Sequence, residues 1–126
     1  MSSSAVINIS NDNLVIKLPW VFGRDIDNYI KDAINNKEVN IYSDETCFLA
    51  YDNDIVDFVF SNLDKSGYIS IANKGLLDRK RIMDFIGTKY KLISRVNPIN
   101  SELSITNYMR PWSEALTEFI NELRSV

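Results

Sequence analysis

Residues 111–123 read PWSEALTEFINEL, and this stretch decides the fold. Its apolar side chains recur at three- and four-residue intervals and form one wide stripe on a helix: Trp112, Ala115, Leu116, Phe119, Ile120 and Leu123. Pro111 suits a first helical position, where its missing N–H costs nothing, so we predict a C-terminal helix over 111–124. A helix with one apolar face must lie on another layer, which we expect to be a sheet.

The segments that precede this helix supply the strands of that sheet. Apolar, β-branched runs predict strands at 5–10, 13–18, 39–43, 47–51, 67–72, 89–96 and 102–108. Helical spacing predicts helices at about 24–36 and between Asp78 and Gly87, with Gly23 or Asp25 as the cap of the first. Residues 53–63 fit a helix or a strand, and we favour the helix. The sequence thus predicts an α+β fold with a mainly antiparallel sheet of about five to seven strands and two to four helices on one face.

Length and composition predict one globular domain over residues 1–126. The chain is 45% hydrophobic and 25% charged, which is typical of such a domain. Its single cysteine, Cys47, fits a reducing compartment. No apolar run approaches the length of a membrane span, and the start Met1-Ser2-Ser3-Ser4 has no features of a secretory signal. We therefore expect a cytoplasmic protein with no membrane partner.

The chain contains no histidine, which limits its chemistry. Histidine is the usual general base and the commonest transition-metal ligand, so triad chemistry and a zinc site are not expected. The four glycines are far apart, which excludes a glycine-rich phosphate loop. We predict no enzyme activity, no cofactor and no metal. Catalysis by carboxylates remains an alternative, with Asp52, Asp54 and Asp57 as its candidates.

Charge is divided between two neighbouring blocks of opposite sign. The acidic block has no base and consists of Asp44, Glu45, Asp52, Asp54, Asp57 and Asp64. The basic block covers 74–95 and carries seven bases against two acids. The two blocks either face each other in the fold, or the acidic block meets a basic partner. The basic block would otherwise bind phosphate or nucleic acid, which a sequence pI of about 4.9 disfavours.

Residues 62–73 resemble a single EF-hand calcium loop. Asn62, Asp64 and Ser66 occupy its first, third and fifth positions, and Gly67 its sharp-turn position. The twelfth position, where an EF-hand carries a bidentate Glu, is Asn73. The resemblance implies a calcium site without its main carboxylate. The alternative is an ordinary turn that leads into a strand, and we favour it.

These observations favour a small protein-binding module, of the kind of a neutralising inhibitor such as an immunity protein. Its acidic surface would dock on a basic protein through Asp44, Glu45, Asp52, Asp54 and Asp57. Trp20 and Phe22 would be aromatic anchors if exposed, or core residues if buried. One alternative is a ligand-binding or sensory domain with a pocket between the sheet and the C-terminal helix. A second is phosphate or nucleic-acid binding through 74–95.

Overall fold

The computed structural model of the chain describes residues 5–9, 14–26, 28–42, 46–93 and 104–125. The described part contains eight strands and four helices. In chain order they are β1 (Ala5–Ile9), β2 (Leu14–Leu18), β3 (Trp20–Phe22), α1 (Tyr29–Ile34), β4 (Val39–Tyr42), β5 (Thr46–Tyr51), α2 (Asp52–Ser61), β6 (Gly67–Asp78), α3 (Arg79–Ile86), β7 (Tyr90–Ile93), β8 (Asn107–Pro111) and α4 (Trp112–Arg124).

The main sheet is mixed. Its strand order is β1-β2-β6-β5-β3, with β8 paired to another part of β6, and β4 and β7 form a separate two-stranded sheet. The pairs β2–β6, β3–β5, β4–β7 and β6–β8 are parallel, whereas only β1–β2 and β5–β6 are antiparallel among the described strands. The α+β prediction is confirmed, and the prediction of a mainly antiparallel sheet is wrong.

Most of the errors lie in strand pairing, but strand placement was also wrong in two places. Strand β3 was not predicted, and β8 begins at Asn107, near the end of the predicted strand over 102–108. The β1–β2 hairpin forms as predicted, with Ala5 opposite Leu18. The next two strands, β4 and β5, do not pair with each other, since β4 lies beside β7 and β5 beside β6. Parallel neighbours are joined by long crossovers. The short separation of β4 and β5 in the sequence therefore did not reveal which strand pairs with either of them.

The last two helices end where the sequence predicts. The Asp78 side chain caps α3 by accepting a hydrogen bond from the Arg81 N–H at 2.8 Å. Gly87 ends α3 with a φ of 81°, a conformation that glycine adopts without strain. Helix α4 begins one residue later than predicted, because Pro111 is the last residue of β8 and the N-cap. The preference for a helix over 53–63 is confirmed by α2.

Helix α1 is shorter than predicted because its cap lies further along the chain. Asn28, rather than Gly23 or Asp25, is the capping residue. Its Oδ1 accepts hydrogen bonds from the N–H groups of Ile30 at 3.0 Å and Lys31 at 3.2 Å. The segment between β3 and α1 is therefore free to form an irregular connection after Gly23.

Two apolar cores lie on opposite faces of β3 and β5. The major core lies against α1, α3 and α4 and includes Phe22, Leu49, Tyr51 and Phe119. The minor core lies under α2 and consists of Leu14, Ile16, Leu18, Ala50, Ile55 and Ile71. Neighbouring residues of a strand point to opposite faces, as Leu49 and Ala50 do. Helices thus cover both faces, not one as predicted.

None of the described helices is both long and apolar enough to cross a membrane. The cytoplasmic location stays a prediction.

Candidate functional site at the ends of β3 and β5

Strands β3 and β5 end at the same edge of the sheet because they are parallel neighbours. Phe22, the last residue of β3, lies opposite Tyr51, the last residue of β5. We use the name carboxyl edge for the residues that follow these strands, 23–25 and 52–53, together with Glu122 of α4. In sheets with parallel strands, ligands characteristically bind outside the carboxyl ends.

Gly23 and Asp52 are in direct contact at the carboxyl edge. A Cβ atom at position 23 would lie only 2.0 Å from Asp52 Oδ2, so any side chain there would displace the Asp52 carboxylate. The Asp52 Oδ1 accepts a hydrogen bond from the Asn53 N–H at 2.7 Å. Burial raises the pKa of Asp52, and the negative charges of Glu122 and Asp25 raise it further. Asp52 therefore keeps its proton to a higher pH than a solvated aspartate.

The Tyr51 hydroxyl connects the carboxyl edge to α4. It donates a hydrogen bond to Glu122 Oε2 at 2.5 Å and accepts one from Asn53 Nδ2 at 3.0 Å. The other carboxylate oxygen of Glu122 lies 3.4 Å from Arg24 Nε. Burial raises the pKa of Tyr51, and the hydrogen bond to Glu122 adds to the shift. Tyr51 thus stays a neutral donor that fixes Glu122 beside Arg24.

A second polar network holds the first turn of α2 against β6 and β8. Arg110 forms two hydrogen bonds with the Asp54 carboxylate, from Nε at 3.0 Å and Nη2 at 2.9 Å. Asn73 is fully buried, and its Nδ2 donates to Asp54 Oδ2 at 2.8 Å. Its Oδ1 accepts from the Tyr51 N–H at 2.8 Å. The hydrogen bond from Arg110 to Asp54 raises the pKa of Arg110. A second one to Glu118 adds to the shift, whereas burial opposes it. The network keeps Asp52 and Asn53 in place.

Three residues of the predicted acidic surface, Asp52, Asp54 and Asp57, point in different directions. Asp54 points inward to Arg110, and Asp52 packs on Gly23, whereas Asp57 is exposed to solvent. Asp44 and Glu45 lie outside the described residues. The three aspartates of α2 also do not converge on one point, as a shared metal or acid–base site would require.

The two candidate aromatic anchors are both used within the fold. Phe22 is fully buried and stacks on Tyr51, with 5.1 Å between ring centroids. Trp20 is half-buried and meets Tyr29 edge-on at 6.4 Å. The Arg79 guanidinium lies 5.0 Å from the ring centroids of both Trp20 and Tyr29, so the three side chains form one cluster.

The basic block is likewise divided among separate contacts. Arg81 lies over Trp112 at 5.7 Å, and Lys80 is 4.0 Å from Asp84. Lys89 and Lys91 line a cleft of about 520 Å³ beside the carboxyl-terminal ends of α1 and α3. A cleft of about 550 Å³ next to α4 runs over its outer side, not between α4 and the sheet.

The segment that resembles an EF-hand loop is a turn followed by a strand. Gly67 begins β6, and Asn73 lies within that strand with its amide bonded to Asp54. Within the ranges that the structure describes, no three His, Cys, Asp or Glu side chains are grouped as a metal site would need.

Sequence reasoning missed the residues that organise the carboxyl edge. Tyr51, Asn73, Arg110 and Glu122 were not candidates, since each is far along the chain from its partner. Asn73 gave one usable signal, because a polar residue within an apolar strand must find hydrogen bonds when buried.

Comparison with known proteins gives matches of fold but not of sequence family. No family model matches the chain, and no curated protein does. The dTDP-4-dehydrorhamnose reductase of Bacillus anthracis, in complex with NADP, matches with a TM-score of 0.70 at 18% identity, over 86% of this chain and 47% of its own. The UDP-glucose 4-epimerase of Thermotoga maritima, with UDP-glucose, gives 0.67 at 15% identity, over 89% and 46%. The UDP-N-acetylglucosamine 4-epimerase of Bacillus cereus gives 0.62 at 17%, over 88% and 45%.

These matches correct the functional prediction. The chain has a Rossmann-like fold with a curled mixed sheet, and it spans about half the length of each structure that it resembles. Those proteins are reductases and epimerases, so the prediction of an inhibitor like an immunity protein is wrong, and the expectation of a non-enzyme is disfavoured. The fold of this chain is thus similar to that of enzymes named for dTDP- or UDP-linked sugars.

Proposed function

We propose that this chain forms the substrate-binding part of an NAD(P)-dependent enzyme that acts on a nucleoside diphosphate sugar. The observation that carries the proposal is its fold likeness to a reductase and two epimerases, all named for dTDP- or UDP-linked sugars. Because the chain corresponds to about half of each, its contribution is one part of such a site.

The carboxyl edge offers the polar groups that a sugar ring needs. Sugar hydroxyls both donate and accept hydrogen bonds, so they pair with carboxylates, amides and guanidinium groups. Asp25 and Asp52 are acceptors, Asn53 is both donor and acceptor, and Arg24 is a donor. The Tyr51–Glu122 hydrogen bond fixes the position of Arg24 beside them.

The described residues do not fit the phosphates of an NAD(P) cofactor. Such phosphates are held by backbone N–H groups in a glycine-rich turn between a strand and a helix. The β5–α2 turn has no glycine and puts Asp52 and Asp54 in the first helical turn, where they would repel a pyrophosphate. The space at Gly23 is filled by the Asp52 side chain. We therefore assign no cofactor contact to these residues.

Binding of UDP-glucose and dTDP-glucose, measured by isothermal titration, tests the proposal. We expect both to bind and to raise the melting temperature, with free glucose and NADPH as comparison ligands. Asn53→Ala should weaken binding about fivefold, which corresponds to roughly 1 kcal/mol for a lost hydrogen bond. Asp57→Asn, on the same helix but exposed, is the matched control and should bind as the wild type does. No binding of either nucleotide sugar at millimolar concentration would overturn the proposal.

A further inference from the structure

One buried hydroxyl group joins the two segments of the carboxyl edge. The Tyr51 hydroxyl accepts a hydrogen bond from Asn53 Nδ2 at 3.0 Å and donates one to Glu122 Oε2 at 2.5 Å. The second carboxylate oxygen of Glu122 lies 3.4 Å from Arg24 Nε. Arg24 follows β3 and Asn53 follows β5, so a single side chain connects polar groups that come from both strand ends.

These hydrogen bonds run in one direction, because the Tyr51 hydroxyl has a single proton. That proton goes to Glu122, so Asn53 must turn its Nδ2 group toward the hydroxyl oxygen. The contact fixes the amide orientation of Asn53 and leaves its Oδ1 acceptor and one N–H for a ligand. Arg24 likewise turns Nε toward Glu122, which leaves the N–H groups of its two terminal nitrogens.

Tyr51 is held far more firmly than the residues that it orients. Its side chain is fully buried, and its ring stacks on Phe22 at 5.1 Å and tilts against Phe119 at 5.7 Å. Asn53 is exposed, and the Arg24 side chain is 51% exposed. Exposed side chains normally sample several rotamers, and ordering them when a ligand binds opposes binding. Contact with a buried hydroxyl group orders them before the ligand arrives.

We propose that Tyr51 and Glu122 are positioning residues for the sugar ring of the substrate. Tyr51 orients Asn53 directly and Arg24 through Glu122, and Asn53 and Arg24 form the hydrogen bonds with the sugar hydroxyls. This inference rests on the proposed function and names the group that sets its sugar recognition. A buried phenol hydroxyl is satisfied by one acceptor, which Glu122 provides. The contacts with the two exposed side chains add little stability, so they serve the site.

Tyr51→Phe tests the inference, because it removes the hydroxyl group and keeps the stacked ring. Titration calorimetry should show UDP-glucose binding about tenfold weaker than in the wild type, a larger loss than for Asn53→Ala because both arms are affected. Binding of UDP, which lacks the sugar, should change by less than about twofold. A general defect of the fold would weaken both ligands alike, so the ratio of the two affinities separates positioning from misfolding.

Tyr90→Phe is the matched control. The Tyr90 hydroxyl donates to Asp84 Oδ1 at 2.8 Å, so this variant removes the same atom from a tyrosine–carboxylate hydrogen bond outside the carboxyl edge. Its affinities for UDP-glucose and UDP should equal those of the wild type. Urea denaturation of both tyrosine variants checks that each is folded under the conditions of the titration.

A double-mutant cycle tests whether Tyr51 acts through Arg24. In an Arg24→Ala background, Tyr51→Phe should weaken UDP-glucose binding by only about threefold, because the arm through Glu122 is already lost. Glu122→Gln keeps an acceptor for the Tyr51 hydroxyl but places an amide against Arg24. Its affinity for UDP-glucose should therefore lie between those of the wild type and Tyr51→Phe.

Three outcomes would overturn the inference and leave the proposed function in place. These are a Tyr51→Phe affinity for UDP-glucose within about twofold of the wild type, an equal loss for UDP and UDP-glucose, and an undiminished effect of Tyr51→Phe in the Arg24→Ala background. In each of them the wild type still binds UDP-glucose. A wild type that does not bind UDP-glucose would instead remove the proposed function, and the inference with it.

Discussion

The major core and the minor core differ in how completely they are enclosed. Among the described residues, the major core contains 17 buried side chains between the sheet and three helices, including four aromatic residues. The described part of the minor core contains six buried side chains, none of them aromatic, under α2, whose outer side is apolar and exposed. The two cores share strands β3 and β5, so the described residues cover one face of these strands more completely than the other. The difference indicates that the major core contributes more to the stability of the chain than the minor core does.

Phe119→Ala should be the most damaging of the changes considered. Phe119 is fully buried in the major core and its ring contacts those of Phe22 at 5.4 Å and Tyr51 at 5.7 Å. Loss of the ring removes apolar burial and leaves a cavity, which costs about 4 kcal/mol. Urea denaturation measures the loss as a lower midpoint at an unchanged slope. A cost below that of truncating Ile55 in the minor core would contradict the ranking of the two cores.

Asn73→Ala should cost about 3 kcal/mol, because it leaves several buried groups unpaired. The Tyr51 N–H and the Arg110 carbonyl oxygen each lose a hydrogen bond, and the Asp54 carboxylate loses one of its donors. Asn73 lies where β6 passes between the two cores, so its removal should affect both. The matched control is Asn40→Ala on β4, an exposed position that should change the free energy of unfolding by less than about 0.5 kcal/mol. Equal effects at the two positions would show that the network adds no stability.

Ile55→Ala tests the minor core and should cost about 2 kcal/mol, at the low end for a buried isoleucine. Ile55 is buried under α2, but the layer around it is thin and its surroundings can relax. Ile82→Ala is the counterpart in the major core. Ile82 is fully buried on the inner side of α3, so its truncation should lower the free energy of unfolding by more than that of Ile55. Denaturation of both variants under one set of conditions gives the comparison. A larger loss of stability for Ile55→Ala than for Ile82→Ala would mean that the minor core is enclosed as fully as the major core.

The parts of the fold that the sequence predicted are those that local interactions determine. The apolar stripe of α4 recurs every three to four residues, and the Asp78 cap and Gly87 end of α3 depend on neighbours within a few positions. Most strand segments were found for the same reason, whereas the three-residue strand β3 was too short to give a pattern. Strand partners were not found, because β4 and β7 are brought together by a crossover that no local pattern describes.

The candidate site could not be predicted because its contacts join distant residues. The Tyr51 hydroxyl and Glu122 are 71 positions apart, and Asp54 and Arg110 are 56 apart. Charge counting grouped Asp52, Asp54 and Asp57 as one surface because they are neighbours in the chain. On the helix they point in different directions, so one packs on Gly23, one pairs with Arg110 and one faces solvent.

Asp52→Asn should stabilise the chain slightly at pH 7. Burial raises the pKa of Asp52 above its unfolded value of 3.8, so the folded state favours the protonated carboxyl. Ionisation therefore destabilises the fold as pH rises through this range, and an amide avoids the penalty. The gain should be below about 1 kcal/mol, since the group is partly solvated, and it should vanish near pH 3. Melting temperatures at the two pH values measure it, with Asp57→Asn as the exposed control. A gain of equal size at both pH values would exclude this cause.

Phe60→Ser should change the stability of the isolated chain least, by less than about 0.5 kcal/mol. Phe60 is 71% exposed on the open side of the molecule, so its ring loses little burial when it is removed. Solubility should rise, because an exposed apolar patch favours association. The contrast with Phe119→Ala is the sharpest test of the difference between the two faces. Both substitutions remove a phenyl ring, which is fully buried at position 119 and mostly exposed at position 60. Thermal unfolding of dilute protein measures stability, and light scattering at high concentration measures association. A loss above about 1 kcal/mol at position 60 would mean that this side of α2 is already covered within the chain.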